Sequence, residues 1–241
     1  MQLPSLKQQR IAIIGGSSGV GHAVAAAAIA EGAEVIIGSS NAANVDAAVK
    51  RLGQQAQGRV IDVKDEKSVD AFFLSVGKFH HLVFTAGDGG PDMRPLSLND
   101  MDFHTAGNGL NVRFWGALKA IKHGKSQLSP EGSITLTDGI LSHRPVKGMP
   151  LTTAFSGAIE HLVLGLAVDL APRRVNSVCL GLIRTNLSKG MSETQIQKMT
   201  ANQPIPRTGS PEEAAQAYLY LMRGTYTTGQ VILVDGGRTL G

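Results

Sequence analysis

The sequence predicts a single-domain α/β protein, a doubly wound Rossmann fold built on a parallel sheet of about seven strands. Three observations support this class. Short runs of β-branched residues alternate with segments of helical pattern along the chain, which is typical of strands joined by right-handed helical crossovers. The runs IAII, EVII and HLVF are continuously apolar, as expected for strands covered on both faces. The first of these strands leads directly into a glycine-rich turn and an alanine-rich helix.

The same pattern places the elements in order, because short apolar runs indicate strands and longer apolar periodicities indicate helices. The last helix opens at Ser210, a good N-cap, which is followed by a proline and two acids. No repeat or linker interrupts residues 1–241, so we expect one domain. The predicted strands are residues 11–14, 35–37, 60–63, 82–85, 133–137, 175–179 and 231–234, and the other predicted helices are residues 20–30, 45–52, 69–76 and 152–170.

Composition excludes several classes of protein. The chain has 241 residues with 23 basic and 19 acidic side chains, a net charge of +4. Its basic residues are scattered without interleaved aromatics, which argues against nucleic-acid binding. The single cysteine, Cys179, has no partner for an internal disulfide, so we expect a reducing, cytoplasmic location. We expect no membrane span, because Glu31 and Asp169 close the two most apolar helical segments before about 20 apolar residues accumulate.

The strongest local signal is the turn after the first strand, GGSSGVG at residues 15–21. Gly15 permits a tight turn, Gly19 lets the backbone approach a pyrophosphate, and Gly21 lets the helix pack closely on the strand. Free N–H groups at the start of the helix attract phosphate. The turn therefore predicts a dinucleotide site, with a purely structural turn as the alternative. Its expected cofactor contacts are Gly15, Ser17, Ser18, Gly19, Val20 and Gly21.

The end of the second strand indicates which dinucleotide binds. An Asp or Glu at this point holds the ribose 2′-hydroxyl of NAD and would repel the 2′-phosphate of NADP. This chain has Ser39, Ser40 and Asn41 there, and no acid. Hydroxyl and amide groups suit a phosphate, so the sequence favours NADP(H). NAD(H) stays as the alternative, because no arginine accompanies these residues to supply a charge-assisted bond.

Six segments in order resemble the short-chain dehydrogenase/reductase family over nearly the whole chain. They are the glycine turn, Asp62-Val63, Thr85-Ala86-Gly87, GLIRT at residues 181–185, IPRTGSPEE at residues 205–213 and TGQVILVDGG at residues 228–237. The resemblance implies an oxidoreductase acting on a small carbonyl or alcohol, and a homotetramer or homodimer built on the helix after Thr152 and the last strand. It also implies cofactor contacts from Asp62, Val63, Ala86, Gly87, Gly181, Ile183 and Thr185. Residues 182–209 would form the substrate loop. The residues Leu187, Met191, Ile196 and Met199 in this loop suggest an apolar lid, with ordinary packing as the alternative.

The catalytic positions depart from that family, which uses an Asn, a Ser and a Tyr-x-x-x-Lys pair. Asn111 falls at the Asn position, whereas the alignment puts Gly139 at the Ser position. The same alignment puts Thr152 at the Tyr position and Ser156 at the Lys position. The chain has three tyrosines, all between residues 218 and 226, so no shift of register restores the pair.

His143 is the substitute proton donor that the sequence offers, four residues past Gly139 in the loop after the fifth strand. Its usual pKa near 6.5 suits proton exchange at neutral pH, and a solvated loop residue is the alternative. Asp138 can orient this histidine or cap the turn. The candidate catalytic residues are therefore Asn111, His143, Thr152 and Ser156.

The function expected from these residues is NADP(H)-dependent reduction of a small carbonyl compound without the usual Tyr and Lys. The alternative is a catalytically silent dinucleotide-binding sensor or subunit, because lost acid and base groups with retained glycines also fit that role. We expect no metal site, since no histidines and cysteines have metal-ligand spacing.

Overall fold

Parallel strands form one seven-stranded sheet in the part of the chain that the structure describes. The structure, a computed structural model, describes residues 5–87, 98–185 and 190–240. The predicted lid residue Leu187 lies outside these ranges. The strands are β1 (Arg10–Ile14), β2 (Glu34–Ser39), β3 (Ala56–Val60), β4 (Phe79–Phe84), β5 (Leu128–Gly139), β6 (Arg174–Leu180) and β7 (Val231–Val234). Their order in the sheet is β3-β2-β1-β4-β5-β6-β7, which confirms the predicted doubly wound sheet.

Helices cover both faces of this sheet. They are α1 (Gly19–Ala30), α2 (Ala42–Leu52), α3 (Glu66–Val76), α4 (Ala117–Gly124), α5 (Pro150–Asp169), α6 (Glu193–Thr200) and α7 (Pro211–Arg223). Helices α1, α2 and α7 bury one apolar cluster against the sheet, and α3, α4 and α5 bury a second cluster on the opposite face. Helix α6 lies within the predicted substrate loop, where Ile196 is buried while Met191 and Met199 are exposed.

The prediction for the third strand was wrong. We expected residues 60–63, whereas β3 is Ala56–Val60 and pairs with β2 alone. Because β3 is an edge strand, most of its residues stay partly or fully exposed and its sequence, AQGRV, is mostly polar. The apolar Ile61 and Val63 that suggested a strand are buried just after β3, next to the crevice described below.

The reversal of strand order falls between β1 and β4. The chain leaves these neighbouring strands toward opposite sides of the sheet, so their carboxyl ends open into a crevice, which is where such folds bind ligands. The two strand ends are joined directly, since the Thr85 backbone N–H donates to the Ile14 carbonyl at 2.8 Å. Gly15 donates in turn to Gly38 at the end of β2, also at 2.8 Å. The crevice is therefore framed by hydrogen-bonded backbone.

Helix α5 is long and apolar enough to span a bilayer, although the sequence analysis expected no such segment. Its 20 residues pass that test by length and composition, and no other helix in the described residues does. The helix nevertheless packs on β5 and β6, with Ile159 and Val163 in the core. Its other face exposes Leu164 and Val168.

Candidate active site

The glycine turn after β1 needs bare backbone at Gly15 and at Gly21. Gly15 has a φ of +90°, and a Cβ there would lie 2.5 Å from the Ala86 nitrogen and 2.8 Å from the Thr85 hydroxyl. A Cβ at Gly21 would collide with the same hydroxyl and with the Gly15 carbonyl. Larger residues would push the turn away from the end of β4, so this part of the glycine prediction has a steric cause.

The first turn of α1 leaves its N–H groups available. Its N-cap, Ser18, makes no side-chain capping hydrogen bond, and the first turn holds no acidic residue. Gly19, with a φ of +53°, comes close to Thr185, so the loop after β6 faces the glycine turn across the crevice. An uncapped helix start beside bare glycine backbone fits the pyrophosphate of a dinucleotide.

Arg51, in the last turn of α2, supplies the positive charge that sequence reasoning did not find here. Its guanidinium donates to the Ser17 carbonyl at 3.2 Å. Burial and the charge of Arg51 lower the pKa of the neighbouring His22. Asn41 has a structural role, because its side chain caps α2 by accepting from the Asn44 N–H at 2.9 Å.

The other predicted cofactor residues lie at or just after the carboxyl ends of strands. Asp62 and Val63 follow β3, with the Asp62 N–H donating to Ser68 at 2.9 Å. Ala86 donates to the Ile14 carbonyl at 3.1 Å, and Gly181 donates to Val234 at 2.9 Å. Ile183 forms an isolated bridge with Gly209. Gly87 lies against Arg113, and Ser39 ends β2 beside Ser40.

Helix α5 presents Thr152, Ser156 and Glu160 at four-residue intervals, so these side chains follow one face of the helix. That face meets the end of β5, where a Cβ on Gly139 would lie 3.6 Å from the Ser156 hydroxyl oxygen. The Ser156 side chain is buried and makes no hydrogen bond with the residues that the structure describes. Neither tyrosine nor lysine occurs anywhere in α5.

The Arg113 side chain extends toward Gly87 and Gly139, which have no side chains. It lies in a wide helical turn, Asn111–Gly116, that precedes α4, and the Asn111 side chain donates to Asn108 at 3.1 Å. The Arg113 guanidinium packs on Gly87 and lies 3.8 Å from the Cβ position of Gly139. Across the described residues it makes no ion pair or hydrogen bond, so its donors are available to a ligand.

A buried acidic network lies behind Ser156. Asp138, which is 1% exposed, is hydrogen-bonded to Glu160, and burial together with this contact raises the pKa of Asp138 to about 8. Burial alone would raise the pKa of Glu160, but hydrogen bonds from Asp138 and Ser142 and the nearby charge of His143 outweigh it and lower that pKa. His143 Nε2 lies 2.8 Å from Glu160 Oε1. His143 thus contacts this network, a partner that the sequence did not indicate.

The fold also gathers possible metal ligands that the sequence spacing could not reveal. Ligand atoms of His143, Glu160 and Cys179 lie within 4.8 Å of one another. The Ser142 hydroxyl, however, lies among them, 2.7 Å from Glu160 Oε1 and 4.0 Å from the Cys179 sulfur. Burial also raises the pKa of the Cys179 thiol and opposes formation of the thiolate that metals bind. The arrangement is therefore better described as a hydrogen-bonded network.

Three functional candidates are missing from the site residues chosen from the sequence. Arg51, Arg113 and Glu160 reach the crevice from residues distant in sequence from the motifs they contact. Only the four-residue spacing from Ser156 to Glu160 was readable, because it predicts a shared helix face. Together, the switch-point crevice, the uncapped helix start and the two arginines define a dinucleotide-binding α/β protein.

The comparisons with known proteins identify the family. Residues 15–239 match the family described as enoyl-(acyl carrier protein) reductase. Short-chain dehydrogenase/reductase ATR9 of Stachybotrys chlorohalonatus is 32% identical, with 99% of this chain and 100% of that protein covered. The chain therefore belongs to the short-chain dehydrogenase/reductase family, which confirms the resemblance.

Solved structures agree with this assignment. The MalC Reductase/Diels-Alderase of Malbranchea aurantiaca has a TM-score of 0.90 and 31% identity, covering 98% of both chains. The NADPH-bound short chain oxidoreductase of Pseudomonas aeruginosa PAO1, described as containing an atypical catalytic center, has a TM-score of 0.86 and 28% identity, covering 95% of this chain and 96% of that chain. These neighbours support a general oxidoreductase that binds a nicotinamide dinucleotide.

Proposed function

We propose that this chain is an NADP(H)-dependent oxidoreductase that reduces a small carbonyl compound without the Tyr and Lys its family uses. The observation that carries the proposal is the position of Arg113. Its guanidinium, which makes no ion pair or hydrogen bond with the described residues, lies beside Gly87 and Gly139 at the proposed reactive end of the crevice. A cation at this point binds and polarises a carbonyl oxygen and stabilises the negative charge that forms on it.

The preference for NADP(H) rests on charge. No acid stands at the end of β2, and Arg51 brings a guanidinium to the glycine turn. Arginine forms charge-assisted, often bidentate hydrogen bonds with phosphate. Ser39 and Ser40 add hydroxyl donors at the same end of the crevice.

In the proposed reaction the side chains of the protein bind the substrate, orient its carbonyl group and protonate the carbonyl oxygen. When bound, a reduced nicotinamide supplies the hydride. Arg113 and the Ser156 hydroxyl hold the substrate oxygen, and Thr152, one turn earlier on the same face of α5, offers another hydroxyl. The carbonyl carbon gains the hydride while its oxygen gains a proton, so the site also needs a proton source.

The proposed assembly rests on exposed apolar surface, and the proposed location rests on the single cysteine. The apolar outer face of α5 and the partly buried β7 are suited to contacts between copies of the chain, so we propose a homotetramer or homodimer. The free, buried Cys179 fits a reducing compartment, and we propose a cytoplasmic location.

The test is NADPH consumption with cyclohexanone, benzaldehyde and diacetyl as small carbonyl probes. We expect turnover above a heat-inactivated control, and a loss of roughly 10²-fold in kcat/KM for Arg113→Gln, the usual effect of removing one donor to a developing oxyanion. Arg113→Lys keeps the charge and should lose less. NADPH binding without turnover of any probe would instead favour the silent sensor or subunit.

A further inference from the structure

The carboxyl groups of Asp138 and Glu160 form a buried acid pair that the proposed reaction has not yet used. Asp138 Oδ1 accepts from the Gly139 N–H at 2.6 Å. The Ser142 hydroxyl lies 3.3 Å from Asp138 Oδ2 and 2.7 Å from Glu160 Oε1. Both carboxyl groups therefore meet at one hydroxyl in a buried site, where two negative charges repel each other, so one of them keeps a proton.

The pair lies next to the reactive end of the crevice. Asp138 directly precedes Gly139, and Glu160 is one helical turn past Ser156, which puts the Cβ atoms of Ser156 and Glu160 about 5–6 Å apart. The Ser156 hydroxyl faces Gly139, as does Arg113. A hydroxyl in this position can give its proton to a substrate oxygen and take another from the acid behind it.

A route to solvent exists on the other side of the pair. His143 contacts Glu160 at 2.8 Å, and 35% of its side chain is exposed against 14% for Glu160. An imidazole can act as a proton shuttle, because its two ring nitrogens bind and release protons separately.

We propose that the Asp138–Glu160 pair supplies the proton for the reduced substrate through the Ser156 hydroxyl, and that His143 replaces it from solvent. This inference rests on the proposed function. The substrate oxygen gains the proton that the pair loses, and water returns one proton per turnover through His143. Asp138, Glu160 and His143 act through Ser156 and are positioning residues.

The charges around the pair favour a stored proton. Burial and the contact with Glu160 raise the pKa of Asp138 to about 8, whereas the more distant Arg113 lowers it. Protonated Asp138 is then the main form at neutral pH. The titratable groups that face the pair are Arg113, His143, Cys179 and Tyr218.

The experiment compares pH profiles of kcat for carbonyl reduction, with NADPH and the fastest probe among cyclohexanone, benzaldehyde and diacetyl. In the wild type we expect kcat to fall as pH rises through about 8, because the donor loses its proton. Asp138→Asn should lower kcat by roughly 10²-fold below that pH and abolish the inflection. Glu160→Gln removes the neighbouring negative charge, lowers the pKa of Asp138 and moves the inflection to lower pH.

A second readout does not depend on turnover. Infrared titration of the protonated carboxyl stretch should show a band that persists at pH 7 in the wild type and is missing in Asp138→Asn.

Glu66→Gln is the matched control, because Glu66 also bonds a histidine, His123, but lies on α3. It should leave both the band and the profile unchanged. His143→Gln should slow turnover until imidazole buffer restores it, and this variant carries the test if Asp138→Asn does not fold.

The outcomes separate the two proposals. An unchanged kcat profile in folded Asp138→Asn, or a wild type in which no carboxyl stays protonated at pH 7, overturns the proton store while leaving carbonyl reduction intact. A wild type that turns over no carbonyl overturns the proposed function and this use of the pair, even if the infrared band is present.

Discussion

Arg51 connects the end of α2 with the glycine turn that precedes α1. The guanidinium extends from the last turn of α2 to the Ser17 carbonyl, so it meets the glycine turn at the end of the crevice nearest β2. We propose that this cation and the hydroxyls of Ser39 and Ser40 would hold the 2′-phosphate of NADPH. The proposed preference for NADPH therefore depends mainly on Arg51.

Replacing Arg51 should change cofactor selectivity. A charge-assisted hydrogen bond contributes about 1.5–3 kcal/mol, so Arg51→Gln should weaken NADPH binding by roughly 10- to 100-fold and leave NADH binding nearly unchanged. Fluorescence titration of both reduced dinucleotides measures the ratio. Lys50→Gln removes the same charge from the neighbouring position on α2 and should have little effect. Equal losses for NADPH and NADH would contradict the role of Arg51.

Prediction from sequence succeeded at residues whose role is local. Gly15 and Gly21 could be predicted because a turn between a strand and a helix restricts which residues fit. Arg113 and Asp138 could not be assigned in the same way, since their surroundings come from elements far apart in the chain. His143 was selected for its pKa, but its contact with Glu160 depends on how α5 lies beside β5.

At the scale of elements, α5 serves two surfaces. One face carries Thr152, Ser156 and Glu160 toward the end of β5, and the outer face exposes Leu164 and Val168. A pattern this apolar predicts a buried helix or an interface, and the sequence alone cannot distinguish the two. The mostly polar edge strand β3 was misplaced for the opposite reason, because partly exposed strands lack the apolar run that marks a buried one.

The outer face of α5 gives a direct test of assembly. Leu164→Glu with Val168→Glu puts two charges on the proposed interface, so the oligomer should dissociate into smaller species in analytical ultracentrifugation. Leu74→Glu is the control, because Leu74 on α3 is similarly exposed but lies outside that interface. A wild-type chain that sediments as a monomer would contradict the proposed assembly.

At the scale of the whole molecule, the alternation of strands and helices was enough to predict the parallel sheet and the position of its crevice. The order β3-β2-β1-β4-β5-β6-β7 puts the glycine turn, the end of β4 and the loop after β6 around one opening. The fold therefore builds the dinucleotide site from backbone segments. The side chains around this site come from segments that are far apart in the sequence.

The most direct test of this account is calorimetric titration of the intact chain with NADPH and with NADH. We expect saturable binding of one NADPH per chain, with an affinity about tenfold or more above that for NADH, because only NADPH carries a 2′-phosphate that Arg51 can bind. Absence of binding by either dinucleotide would contradict the claim that the glycine turn holds a nicotinamide cofactor.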